Sequence, residues 1–396
     1  MSWTCATRPP SAATWWCASP RCSRSAGFPA RASCVADGKV VDVNCTCRSA
    51  GQTDNGSQSV PGTVPTMLID ATMSRQNFHH VVAALDARVP GGRLDQALNE
   101  YHLERCTEAE RINHWRCADL TARLADQQGD PALLARGFQA LEQQRRLFPG
   151  LSPIPGDILD RVNQYQRYLC LHSELGDYRL RIGAEESSLQ LFRRSGFESY
   201  DGQALALLYS TCRLLERGGP LRIRRVTLRA RHGERGRRDL EALLGVPVSC
   251  GEEQDGVVFS NAHLLQPSAT AGSLDALGQR ERQLRRMQPG LGWSDSVRGL
   301  LPTVVGLPGK PLALCASLLA VSERTLQRRV EAEGQDFRSL LSDSRRQLAL
   351  TLMPWRDLTT EQLAVRLGYS QTAQFYRAFR DWFGESPGRK RVAMYG

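Results

Sequence analysis

Along residues 368–379, GYSQTAQFYRAF, two phenylalanines stand four apart with an arginine between them, and the two sides of the segment offer different chemistry. Phe375, Ala378, Phe379, Trp382 and Phe383 fall at i, i+3, i+4, i+7 and i+8, the stripe of an α-helix that turns one face to a core. The opposite face carries Thr372, Ala373, Tyr376, Arg377 and Arg380, with no acid before Asp381. Such a face meets either water or a negatively charged partner. Catalytic chemistry has no comparable signal. The chain contains no Gly-rich phosphate loop, no G-x-S-x-G elbow and no H-E-x-x-H. His79, His80, His102, His114 and His172 are scattered along helical segments, where surface or core roles outnumber ligand roles. No catalytic, cofactor-binding or metal-ligating set is assigned, and an enzyme is not expected.

Length and charge narrow the choice of partner. The 396 residues suffice for two or three domains with their own cores. No stretch approaches the roughly 18 apolar residues that cross a membrane, and the segment after Met1 lacks the apolar run of a secretory signal, so a cytoplasmic location is expected. The net charge of +10 is uneven: residues 301–396 hold 14 Lys+Arg against 9 Asp+Glu, whereas 67–300 are near balance. A basic end suits nucleic acid, although a +5 excess alone also describes an ordinary solvated surface.

Six of the 12 cysteines, Cys5, Cys17, Cys22, Cys34, Cys45 and Cys47, crowd the first 47 residues. Their spacing is irregular and no histidine precedes His79, which argues against a zinc module. This Ser/Ala/Thr/Arg/Pro-rich stretch shows no period, so residues 1–66 read as disorder or as translation from a start upstream of the functional one at Met67 or Met73. The other six cysteines, from Cys106 to Cys315, sit mostly in apolar settings and read as buried free thiols.

From Met67 to Leu147 the apolar spacing is helical, with Asp130-Pro131 as a cap and first-turn proline, and a further helix starts at Asp157. The period then changes. YRLRIGA and SSLQLFRR alternate around Glu185-Glu186 as a hairpin, and LRIRRVTLRAR alternates between two helices. VPVSCGEEQDGVVFSN reads as a second hairpin around Asp255-Gly256, giving the order ββαβαββ. A helix and the stretch QPGLG lead to the basic end.

There one unit occurs twice, as PLALCASLLAVSERTLQRRVEAEG and TTEQLAVRLGYSQTAQFYRAFRDWFG. Each predicts a short helix, a tight turn, and a second helix opened by a hydroxyl N-cap, Ser322 and Ser370 respectively. Ala364 and Gly368 serve the crossing and the turn in the second copy, Ala316 and Ala320 in the first. Ala320 is a departure, incurring strain or a different bend. Between the copies, Phe337, Leu340, Leu341, Leu348 and Leu352 mark a one-faced helix. At about 1.5 Å per residue such a helix can hold the units about 34 Å apart, one turn of duplex.

These segments, from Leu312 to Val392 and including Gly384 and Ser386-Pro387, resemble the DNA-binding domain of AraC/XylS-type transcriptional regulators. The resemblance implies that the second helix of each unit enters a major groove. Base-reading positions then fall on Arg324, Gln327 and Arg328, and on Thr372, Ala373, Tyr376 and Arg377. Arg suits the guanine O6/N7 edge and Gln the adenine edge, each pair discriminating by about 1–3 kcal/mol. Arg329, Arg338, Arg345, Arg380 and Lys390 fit phosphate or salt-bridge roles. Upstream, ALLGVPVSCGEEQDGVVFSNAHLLQP is similar to the arabinose-binding-type domain of the ornithine-utilisation branch. The expected fold class is therefore an α+β N-terminal sensory domain followed by an all-α C-terminal domain with two helix-turn-helix units joined by a linker helix. The expected boundaries are 67–286 for the effector-binding or dimerisation domain, 287–300 for a linker and 301–396 for the DNA-binding domain. The resemblance implies double-stranded DNA, a small-molecule effector and RNA polymerase as partners, allows a homodimer, and favours activation over repression. Rival readings are a DNA-modifying or repair enzyme anchored by a similar module, and a ligand-independent DNA binder.

Overall fold

The computed structural model describes residues 71–103, 111–144, 155–217, 219–267 and 272–395, with the backbone of 30–36 and 39–45. The chain divides into two compact units, 1–63 and 64–396. In the first, β1 (Ala30–Ala36) and β2 (Lys39–Cys45) pair antiparallel, Val35 opposite Val40. This corrects the reading of that stretch as lacking strand period: Asp37-Gly38 between β-branched runs is a two-residue hairpin signal. The rest of 1–66 lies outside the described residues.

The second unit begins with β3 (Thr72–Ser74) and α1 (Arg75–Asp86), then α2 (Gly91–Glu100), β4 (Arg111–Asn113), α3 (His114–Gln128), α4 (Leu133–Gln143) and α5 (Ile158–Tyr168). The short strands β3 and β4 pair antiparallel inside a stretch expected to be wholly helical. The interruptions follow from capping. Ser74 accepts the N–H of Asn77 and Asn113 that of Arg116, so each strand ends on the cap of the helix after it.

Next come β5 (Gly176–Ile182), β6 (Glu186–Arg193), α6 (Asp201–Glu216), β7 (Ile223–Leu228), α7 (Glu234–Leu244), β8 (Val248–Cys250) and β9 (Asp255–Ser260). The order of elements is the expected one, but the pairing is not. The sheet runs β5-β6-β9-β7-β8, with β8 parallel to β7 and β9 antiparallel to both β6 and β7. Residues 248–260 are therefore not a hairpin. Asp255, expected in a turn, is buried. Its Oδ2 lies 2.7 Å from Arg193 Nη2, and its Oδ1 accepts the N–H of Arg229, which holds β9 in the middle of the sheet.

The remainder is helical: α8 (Leu274–Met287), α9 (Trp293–Val304), α10 (Pro311–Leu318), α11 (Glu323–Ala332), α12 (Phe337–Leu352), α13 (Thr360–Arg366), α14 (Thr372–Phe383) and α15 (Pro387–Tyr395). Within 287–300, expected as a linker, α9 begins at Trp293 and buries Val297, Leu300 and Leu301 against the helices that follow, α12 most extensively. One apolar core continues from Met73 through the sheet and α9 to Phe379. Among the described residues no helix is long and apolar enough to cross a membrane, and no group of three His, Cys, Asp or Glu could hold a metal ion.

Candidate nucleic-acid interface

The first helix-turn-helix is α10, a turn and α11. Proline at the start of α10 costs no hydrogen bond, because the first N–H groups of a helix lack internal partners. The turn closes through Val321 N–H to Ala316 O at 3.0 Å, with Ala320 at φ 55°, the left-handed region. Of the two alternatives left open for Ala320, strain is the one observed. Ser322 accepts the N–H of Thr325 and caps α11, as its hydroxyl predicts. Leu326 and Val330 are buried, and Arg324, Gln327 and Arg328 are exposed together on the opposite face.

The second unit is α13, a turn and α14. Thr359 and Gln362 form a reciprocal capping box at the start of α13. Gly368 takes φ 70° where an added Cβ would lie 2.6 Å from Val305 O, so both backbone and space demand glycine. Tyr369 N–H then donates to Ala364 O at 3.0 Å. The expected cap at Ser370 is not formed. Gln371 is the N-cap of α14 and gives no side-chain hydrogen bond, because the extended turn runs one residue longer than in the first unit.

The aromatic stripe on α14 sorts as its spacing predicts. Phe375 and Phe379 are wholly buried with ring centroids 5.5 Å apart, while Ala378, Trp382 and Phe383 are half-buried. Trp382 Nε1 donates to Ser342 Oγ at 3.0 Å, tying the stripe to α12. On the other face Ala373, Arg377 and Arg380 are exposed, and Thr372 and Tyr376 are half-buried. Gln374 is exposed beside Ala373, at a position to which the resemblance assigns no role.

The residues expected at phosphates divide. Arg338 and Arg380 are exposed, and neither side chain has a hydrogen bond or ion pair within the described residues. Arg329 instead lies 4.0 Å from the centroid of the Trp293 ring, which Arg285 also approaches to 4.0 Å. Arg345 stacks 4.5 Å from the Tyr369 ring centroid and donates to Gly368 O, bracing the second turn. Lys390 pairs with Glu385 at 3.2 Å.

Both units are fastened to the rest of the chain. Glu333, just past α11, accepts the N–H groups of Trp293 and Ser294 at 2.7 and 2.8 Å, at the start of α9. Burial pushes its carboxyl up, but these hydrogen bonds outweigh that and its pKa is lowered. Arg366, at the end of α13, is buried against the first turn of α5. Its Nη2 donates to Asp160 Oδ1 at 2.5 Å and its Nη1 to Pro302 O. Its Nε lies 3.1 Å from Asp157 Oδ2, without the alignment of a hydrogen bond. Burial raises the Asp160 carboxyl well above its ordinary range, with Arg366 opposing the shift and Asp157 adding to it. Arg356 N–H also donates to Ala184 O, at the β5–β6 corner. No feature of the sequence marked Arg366, Asp157 or Asp160 as partners.

Residues 315–392 match the helix-turn-helix domain family. An uncharacterised HTH-type transcriptional regulator of Mycobacterium tuberculosis is 37% identical over 89 residues, 22% of this chain and 24% of that protein. The chain thus spans about a quarter of that relative's length. The Ornithine utilization regulator of Pseudomonas aeruginosa is 29% identical over 252 residues, 60% of this chain and 70% of that protein. Among solved structures, the transcriptional regulator CdpR from Pseudomonas aeruginosa aligns over 75% of this chain and 97% of its own, at 21% identity and a TM-score of 0.38.

Proposed function

We infer that this chain, whose C-terminal part is an AraC-type helix-turn-helix domain, regulates transcription by reading two successive major grooves of promoter DNA. The observation that carries the reading is the repeated pairing of a buried apolar face with an exposed polar face, free of acids before Asp381 in α14 and interrupted by Glu323 and Glu331 in α11. In α11 and α14, buried Leu326 and Val330, or Phe375 and Phe379, stand back to back with exposed Arg324, Gln327 and Arg328, or Ala373 and Arg377. A helix held from behind and bare in front can enter a groove without rearranging.

Arg328 and Arg377 take guanine edges in this reading, Gln327 an adenine edge, and Ala373 an apolar contact such as a thymine methyl. Arg338 and Arg380 contact phosphates, whereas Arg329 and Arg345 serve the architecture. An N-terminal domain that senses a small metabolite and biases this end toward activation completes the proposal, and requires that the effector bind two conformations unequally.

Among the described residues no thiol is activated for alkyl transfer, since burial raises Cys170 and the half-buried Cys250 as well as three buried thiols. Burial pushes Cys315 up to about 12, and Cys117 and Cys212 likewise, so none of the three offers a thiolate at neutral pH.

Footprinting on DNA flanking the gene tests the reading. Two protected stretches one helical turn apart are expected. Arg328→Ala and Arg377→Ala each relax base preference at one position by about 1–3 kcal/mol, and Arg380→Ala weakens all sequences alike. Protection of a single turn, or equal losses on specific and random duplexes for all three variants, would refute it.

A further inference from the structure

A cavity with about 720 Å³ between its walls, open mouth included, lies among α1, α3, α4, α5 and α6. Leu134, Phe138, Leu169 and Ala206 line it as buried apolar residues, and His80 and His172 as half-buried polar ones. Two of the polar residues that line it each have one deeply buried side-chain atom without a hydrogen bond among the described residues. They are His114 at Nδ1, with the residue 2% exposed, and Gln203 at Nε2, with the residue 7% exposed. Leaving such atoms unpaired inside a protein costs about 1–3 kcal/mol each. Ser210 and Tyr165 also line the space, but their hydroxyls are engaged, with Ala206 O and Thr211 Oγ1.

What the wall lacks defines the ligand further. Among the described residues no Asp, Glu, Lys or Arg lines the cavity. Burial, reinforced by Arg111 and Arg194, lowers His114 to about 3, and burial with Arg280, Arg111 and His80 nearby lowers His172 to about 4. Both imidazoles are thus neutral at physiological pH. A zwitterionic amino acid would bury two charges without a counter-ion, and a sugar would bury hydroxyls against Leu134, Phe138, Leu169 and Ala206, which offer no hydrogen bond from their side chains.

We propose that this cavity binds an uncharged, mainly apolar small molecule whose carbonyl oxygen accepts from Gln203 Nε2, with His114 Nδ1 as the second polar contact. The site rests on the regulatory reading only for its consequence. Tyr165 and Leu169 belong to α5 or its immediate extension, and the first turn of that helix holds Arg366 of the second helix-turn-helix. At its other end Arg167 and Tyr168 both bond Glu281 of α8, at 2.8 to 3.0 Å. A ligand pressing on α5 bears on a helix fixed at one end to the second helix-turn-helix and at the other to α8.

The test is melting of the full chain, without DNA, in 2-octanone, octanoate, L-ornithine and L-arabinose. A saturable rise in Tm with 2-octanone alone is expected. Gln203→Met should weaken that response about five- to tenfold, the worth of one neutral hydrogen bond, while leaving the unliganded protein at least as stable. Leu207→Trp, at a half-buried wall position, should abolish it by filling the space. Absence of any 2-octanone response, an equal or larger shift with octanoate or ornithine, or an undiminished response in both variants overturns the proposal. Because DNA takes no part, a chain that protected no promoter would refute the regulatory reading and leave the ligand result standing.

Discussion

Replacing Arg366 with methionine keeps much of its bulk and removes the cation shared by Asp157 and Asp160. Asp160 is 2% exposed, so its carboxylate would remain in the interior without a counter-charge. Loss of one partner of a buried pair typically costs about 3–5 kcal/mol. Protonation offers an escape that sets a ceiling. With an unfolded carboxyl near pH 3.9 and about 1.36 kcal/mol per pH unit, neutralising Asp160 costs about 4 kcal/mol at pH 7 and about 1.5 kcal/mol at pH 5. The sign follows from the direction of the shift. A carboxyl raised on folding contributes stability that is present below its unfolded value and lost as pH rises through its folded value. Burial already raises Asp160, and Arg366→Met raises it further, so the deficit should be largest at neutral pH and shrink toward pH 4. Urea titrations at pH 7 and pH 5 measure it, and Asp160→Asn combined with Arg366→Met should recover most of the neutral-pH loss. An unchanged midpoint at pH 7, or a deficit equal at both values, would refute the assignment of this cluster as a paired buried charge.

The two turns should respond in opposite directions to the same pair of residue types. Gly368→Ala, at φ 70° and facing Val305 O, should cost about 1–3 kcal/mol, whereas Ala320→Gly, at φ 55°, should gain up to about 1 kcal/mol in thermal melts. Glu333→Gln should lose about 0.5–1 kcal/mol at neutral pH, a figure reduced for the exposure of the side chain. Since the Glu333 carboxyl is lowered on folding, wild-type stability from this contact is present above the unfolded value near pH 4.3 and declines as pH falls below it. The Gln variant should lack that acid-side decline in urea titrations.

Where the signal was periodic, the sequence was legible. The stripe Phe375, Ala378, Phe379, Trp382 and Phe383 announced both the helix and its buried side, and Ser322 announced a cap. The exposed faces of α11 and α14 follow from the same spacing. What escaped was non-local. Asp255-Gly256 has the composition of a turn, yet a guanidinium 62 positions away in the chain claims the aspartate and carries the strand into the sheet's middle. Arg329 and Arg345, read for phosphate or salt-bridge roles, lie instead on aromatic rings identified only by the packing, whereas Lys390 takes the salt-bridge alternative with Glu385. Gln371 shows the limit at short range, since a one-residue difference in turn length moved the helix start past the serine expected to cap it.

The docking of the two units also changes what sets their spacing. A lone linker helix would fix the distance between α11 and α14 and leave their relation to the N-terminal domain loose. Here α11 is tied to α9 through Arg329 on Trp293 and through Glu333, and α13 is tied to α5 and α9 through Arg366. The pose offered to DNA is therefore a property of the whole second unit, with α12 as only one of its struts. If that pose matches two successive grooves, the Arg366 cluster stabilises the DNA-competent form. If it does not, binding must break the cluster and expose a buried carboxylate. Each kcal/mol spent on that opening lowers the apparent affinity about fivefold. In both cases α5 is where a sensor could act at least cost, because the helix that closes one side of the cavity also carries the two aspartates that decide whether α13 is held.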